Sequence, residues 1–188
     1  MPIDKKILKI SDEELVLQIA ESNNSELFEI IYDRYANLVY HKCLSFVKSK
    51  SEAQDLAHDI FVKLFVSLKT FNGNSKFSTW LYSITYNYCT NYVTRDKQSK
   101  NIQRDADFEM LVDTIDDDIL DEDILSMNAN KLNVALDKID AKEKMILLMK
   151  YQDELSIKEI MKVLSLGESA VKMRIQRAKF SLIEAYRN

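Results

Sequence analysis

The segment LSIKEIMKVLSLGESAVKMRIQRAKFSLIEAYR, Leu155 to Arg187, decides how this chain folds and what it can touch. Ser156 followed three residues later by Glu159 is a capping box, so a helix is predicted from 156 to 164. A three-residue turn, Ser165-Leu166-Gly167, separates it from a longer helix over 168–186. Leu166 is the hydrophobe expected to be buried where the two helices meet. On the longer helix Val171, Ile175, Ala178 and Leu182 form one apolar stripe. Ser169, Lys172, Met173, Gln176 and Arg177 lie opposite that stripe, with Arg174 and Lys179 at its flanks, and no acid stands between Ser169 and Ile183. A short helix, a tight turn and a longer basic helix make a helix-turn-helix. Counted from Ile157, the left-handed corner falls at Ser165, which leaves Gly167 as the N-cap of the second helix and Glu168 in its first turn, complementing the helix dipole.

Such a helix suits DNA. Arg and Lys neutralise phosphates, and Gln and Arg read base edges in the major groove. If about four phosphates are contacted, log K falls with log salt at a slope near −3 to −4. That is modest, so the module should need a partner to hold it on DNA.

The rest of the chain sets the context. Of 188 residues only 2 are Gly and 1 is Pro, while 46% are apolar, which predicts an all-α protein. No apolar run approaches the ~18 residues of a membrane span, and MPIDKKILKI has no apolar core of a signal peptide. The expectation is a cytoplasmic protein without membrane insertion. Cys43 and Cys89 are far apart in sequence and read as reduced structural thiols; His41 and His58 have no metal-ligand spacing. No triad, metal cluster or phosphate-binding glycine loop is visible, so neither catalysis nor a cofactor is expected.

Charge divides the chain. Residues 1–99 carry 12 basic and 12 acidic side chains; 100–125 carry 2 basic against 10 acidic; 126–188 carry 12 basic against 8 acidic. The acidic stretch reads as a linker over 98–123 between a helical module at 1–97 and another at 124–188. Capping patterns at Ser11-x-x-Glu14, Ser51-x-x-Gln54, Asp140-x-x-Glu143 and Ser156-x-x-Glu159 help place helices near 12–21, 26–48, 52–68, 78–95, 124–137, 141–151, 156–164 and 168–186.

In the first module FNGNSKFSTWLYSITYNYCTNYVTRDK, Phe71 to Lys97, has too many aromatics for one face. Leu81, Ile84, Tyr88 and Tyr92 suffice for a core side. That assigns Trp80, Tyr86 and the asparagines to another surface, suited to stacking single-stranded bases. The polar loop Asn72–Lys76, with Asn74 and Ser75, could hold an unstacked base by its Watson–Crick edge. Before it, EAQDLAHDIFVKLF turns Leu56, Ile60, Phe61 and Leu64 inward and leaves Gln54, Asp55, His58 and Asp59 as an acidic-polar outer face.

These three segments, in this order and spacing, resemble an extracytoplasmic-function (ECF) sigma factor, a small sigma-70 family subunit of bacterial RNA polymerase. The resemblance covers most of the chain. It implies that Gln54, Asp55, His58 and Asp59 dock on the β′ clamp helices of core polymerase. It implies that Asn72, Asn74, Ser75, Lys76, Trp80 and Asn87 open the minus-ten promoter element and capture a flipped base. Lys172, Met173, Arg174, Gln176, Arg177 and Lys179 would read the minus-thirty-five element. The modules become sigma region two and sigma region four, with the linker threading toward the polymerase cleft and region four near the β flap. An anti-sigma factor, often membrane-bound, is a further implied partner. His58 stands where many members have Gln, and Met173 where many have Ser or Gly, so Met173 implies an apolar base contact. Two other readings compete: a stand-alone helix-turn-helix regulator of duplex DNA, and a helical adaptor that binds only proteins.

Overall fold

A computed structural model of the chain describes residues 10–22, 24–99 and 121–188. Most of the acidic linker, residues 100–120, lies outside the described residues. The chain forms two compact units, 1–92 and 93–188, and the described residues are helical with no strand.

The first unit holds α1 (Asp12–Ser22), α2 (Ser25–Leu44), α3 (Lys50–Ser67), a single 3-10 turn (Leu68–Thr70) and α4 (Phe77–Ser99), which belongs to it as far as Tyr92. Helix starts follow local chemistry. Ser11 Oγ accepts from the Glu14 N–H at 3.2 Å, and Asn24 Oδ1 from the Glu26 N–H at 2.8 Å. The cap of α3 is Ser49, whose Oγ accepts from the Glu52 N–H at 3.4 Å, rather than Ser51. The helix therefore starts two residues before the predicted 52, and Gln54 has no part in the cap. The core gathers Leu15, Val16 and Ile19 from α1, Ile31 and Val39 from α2, Leu56, Ile60 and Leu64 from α3, and Phe77 and Leu81 from α4. Each such side chain stabilises by roughly 1.5–3 kcal/mol when fully buried. The partly exposed Asp12–Arg34 pair (2.5 Å) adds at most about 1 kcal/mol, so apolar burial decides the packing. Cys43 and Cys89, distant in sequence, lie side by side in this core with their sulfurs 3.9 Å apart. Hydrogen bonding to Cys43 and burial push the Cys89 thiol far above its ordinary range, which keeps it unreactive.

The second unit holds α5 (Asp121–Leu125), α6 (Ala129–Lys138), α7 (Ala141–Leu147), a π turn (Leu148–Gln152), α8 (Ile157–Leu164) and α9 (Glu168–Arg187). The helix predicted over 124–137 is broken. Asn128 leaves helical geometry, and its Oδ1 accepts from the Asn130 and Lys131 N–H groups at 3.0 and 3.3 Å. Capping boxes form at Asp140 and Ser156. The chain leaves the π turn through Glu154 at φ 54°, with the Leu155 N–H donating to Met149 O at 3.0 Å. Val171, Ile175, Ala178 and Leu182 of α9 are buried as the stripe predicts, and α9 packs on α6, α7 and α8. Ser165 makes the corner at φ 53°, ψ 46°, and Gly167 is the extended N-cap at φ −72°. Leu166 is half-buried rather than buried. The corner is closed by the backbone as well, since the Leu166 N–H donates to Met161 O at 3.1 Å.

Candidate functional site

Three exposed surfaces carry the residues singled out from sequence. The first is the loop before α4. Asn72 Oδ1 accepts from the Asn74 N–H at 3.2 Å, and Gly73 sits at φ 71°, so the loop is an Asx turn through a left-handed glycine. Asn72, Asn74 and Lys76 are exposed and Ser75 half-buried. Phe71 and Phe77 are buried at the loop's two ends, with ring centroids 5.9 Å apart. The loop thus projects from an anchored base.

Along α4 the predicted faces need correction. Tyr86 is fully buried, in an edge contact with Phe46 at 6.1 Å, and offers no ring to a base. The buried side runs through Phe77, Leu81, Tyr86 and Cys89. Of the residues expected inward, Ile84 and Tyr88 pack partly buried against the core, and the Tyr88 hydroxyl at its rim donates to Asp59 of α3 at 3.1 Å. Tyr92 is exposed instead, its hydroxyl donating to Glu52 of α3 at 2.9 Å. Trp80 is half-buried, its ring 5.2 Å from Phe71 and 6.1 Å from Phe77. Its ring is therefore only partly available to a base. Asn87, two turns on along the same face, is exposed.

The second surface is the outer face of α3, where Gln54, Asp55, His58 and Asp59 are all exposed. Sequence reasoning missed its continuation: Val62 and Val66, one and two turns on from His58, are 52% and 75% exposed. Their signal was available, since both fall off the stripe of Leu56, Ile60 and Leu64. Exposed valines beside carboxylates make a mixed surface of the kind protein interfaces use.

The third surface is α9. Lys172, Met173 and Arg174 are exposed, while Gln176 and Arg177 are half-buried. Lys172 Nζ lies 2.7 Å from Glu168, an exposed pair whose cation holds that carboxyl below its ordinary range. Arg177 Nε is buried without a hydrogen-bond partner among the described residues. Lys179 does not join this surface. It is 4% exposed, and its Nζ lies 2.5 Å from Asp121, which also accepts from the Tyr151 hydroxyl at 2.6 Å. Those two donors hold the Asp121 carboxyl below the usual range, and burial with Asp121 raises the Tyr151 hydroxyl. Lys179 is an internal tie between α9 and α5. Phe180, 47% exposed and two turns from Met173, is an exposed ring the wheel reading passed over.

Residues 31–99 match the pattern described as Sigma-70 region 2, and residues 129–181 that described as Sigma-70, region 4. The chain belongs to the sigma-70 family. Within it this is an ECF sigma factor, the subunit that binds core RNA polymerase and directs transcription initiation at specific promoters. Sigma factors are non-catalytic regulators. The chain is 28% identical over 174 residues to the ECF RNA polymerase sigma factor SigW of Bacillus subtilis, covering 89% of this chain and 93% of that one. It is 24% identical over 177 residues to the ECF RNA polymerase sigma-E factor of Haemophilus influenzae, covering 91% and 93%. In fold it is similar to CnrH, solved in complex with the cytosolic domain of CnrY, at a TM-score of 0.62 and 22% identity over 92% of this sigma factor and 95% of that chain. Bartonella quintana RpoE, solved in complex with the anti-sigma factor NepR, follows at 0.59 and 16% over 85% and 96%. The 72–76 loop, the α3 face and α4 lie in the region 2 match, and α9 lies largely in the region 4 match. Helix α1 precedes the region 2 match, although Leu15, Val16 and Ile19 are integral to its core. Among the described residues of the sigma factor no helix is long and apolar enough to cross a membrane.

Proposed function

We propose that this sigma factor divides its work among the three surfaces. The outer face of α3, Gln54, Asp55, His58 and Asp59 continued by Val62 and Val66, docks on the β′ clamp helices of core polymerase. The Asn72–Lys76 loop, with the half-buried Trp80 and with Asn87, melts the minus-ten element and holds a flipped base. On α9, Lys172, Met173, Arg174, Gln176 and Arg177 read the minus-thirty-five element, and Lys179 supports them from below. Residues 1–97 act as region two and 124–188 as region four, which also meets the β flap. The acidic segment 98–123 enters a polymerase channel built for polyanions. Catalysis stays with the polymerase, and the protein works in the cytoplasm with no cofactor of its own.

The observation that carries this reading is that Asn72, Asn74, Asp55, His58, Lys172 and Met173 are all exposed, the first two on a loop between the buried Phe71 and Phe77 and the others on helices whose opposite faces are committed to core packing. CnrH and the Bartonella RpoE were each solved with a protein partner, CnrY and the anti-sigma factor NepR. We assign this chain an anti-sigma partner of the same kind, often membrane-bound, that covers these surfaces. The test is transcription reconstituted from bacterial core polymerase, this protein and a promoter library. Specific transcripts that need both components are expected. DNA binding without core polymerase and without transcripts would mark a stand-alone regulator instead; neither activity would mark a protein-binding adaptor.

A further inference from the structure

The first backbone N–H of α4 is satisfied from far away in sequence. The Phe77 N–H donates to Glu13 Oε1 at 2.7 Å, a bond spanning 64 residues. The first N–H groups of a helix have no partner within it. The residue just before, Lys76, has a side chain that offers only donors, so it cannot serve. Glu13 sits in the first turn of α1, and its helix is firmly seated. Leu15, Val16 and Ile19 are at most 1% exposed. Arg34 binds both the Asp12 carboxylate at 2.5 Å and the Ile10 carbonyl at 3.1 Å, and the Tyr35 hydroxyl bonds Asp12 as well. A carboxylate on the positive end of a helix dipole makes a charge-assisted bond, roughly twice as strong as a neutral one.

We propose that Glu13 is a positioning residue for base capture: by clamping the start of α4 it fixes the C-terminal end of the Asn72–Lys76 loop. The loop's other end is held by the buried Phe71, and its middle by the Asn72 turn through Gly73. Glu13 supplies the remaining anchor. With all three in place, the loop amides are aimed before DNA arrives, which sharpens discrimination between bases because no reorganisation is left for a poor fit to exploit. The role belongs to a helix that lies ahead of the region 2 match, and it rests on the reading that this loop captures a base.

The test measures base preference. Core polymerase and the full-length protein select from a randomised pool of single-stranded DNA oligonucleotides, and the bound fraction is sequenced. Glu13→Gln keeps an acceptor in place and should hold the preference within about twofold. Glu13→Asp keeps the charge but shortens the reach, and Glu13→Ala removes the acceptor. Both should flatten the preference about fivefold or more, with core binding unchanged. Glu14→Ala removes a carboxylate from the same turn and should change nothing. A role in stability alone would lower melting temperature and total binding while leaving the preferred base the same, and that result overturns the proposal. If Glu13→Asp holds the preference and Glu13→Gln loses it, charge rather than placement matters and the proposal falls. Asn74→Ala separates the two levels. If it flattens the preference but Glu13→Asp and Glu13→Ala do not, only the positioning role is overturned. If Asn74→Ala changes nothing, the loop reading and this inference fall together.

Discussion

Ser165 holds φ 53°, ψ 46° with a side chain attached, a conformation that costs an L-residue roughly 1–2 kcal/mol. Ser165→Gly should therefore be neutral or stabilising by up to about 1 kcal/mol, seen as an unchanged or higher urea midpoint. Gly73 is the mirror case. Its φ is 71°, and a Cβ there would meet nothing within 4 Å, so Gly73→Ala should cost about 1 kcal/mol through the backbone alone. The corner at Ser165 was readable by counting along the helix-turn-helix, because its geometry is local. Asp121 was not, since nothing near it in sequence announces Lys179. Its folded carboxyl titrates below the ordinary range because Lys179 and Tyr151 both donate to it. A depressed carboxyl contributes stability that is complete above its unfolded value, about 3.9, and is lost as pH falls through the folded one. Glu143, raised by burial, works in the opposite sense. Asp121→Asn should therefore be less stable than the parent at neutral pH, with the gap closing below about pH 4 in thermal melts across the range.

Among elements, α9 shows how a helical wheel and a packed helix diverge. The wheel placed Lys179 at the flank of the apolar stripe, and α5 then covered that flank with Asp121. Lys172→Ala should lower the salt slope of promoter binding by about 1, as loss of a phosphate contact does. Lys179→Ala should leave that slope unchanged and lower the melting temperature, because it strips the Asp121 carboxylate of its cation. Filter binding of the polymerase complex at several salt concentrations, with a thermal melt of each variant, checks both. Helix α4 went wrong for a related reason. Its aromatics ring the helix, so periodicity alone could not choose the core side. Phe46, just after α2, and Cys43 within it chose that side by covering Tyr86 and Cys89. Tyr88 and Tyr92 satisfied their hydroxyls by turning to the carboxylates of α3. Asn128 interrupts the helix predicted over 124–137, since an amide that caps two N–H groups competes with helix continuation.

For the whole molecule the division of labour is testable. Arg177→Ala should reduce promoter-specific transcription roughly tenfold or more without weakening core binding. Asp55→Ala should weaken core binding and leave the preferred promoter unchanged. Equal loss of core binding in both would remove the assignment of docking to α3 and reading to α9. The sequence by itself determined the helical class, the two modules, the helix-turn-helix with its corner at Ser165, and the family. The first three rest on local periodicity, capping and the rarity of Gly and Pro, and the family on the resemblance of three segments in their order and spacing. Only the tertiary structure decided which aromatics of α4 are core, that Lys179 is an internal tie, that Cys43 meets Cys89, and that Glu13 closes the start of a helix 64 residues away. Those outcomes depend on which element covers which face. Packing settles that through contacts between residues far apart in the chain, and a pattern read along one helix does not contain it.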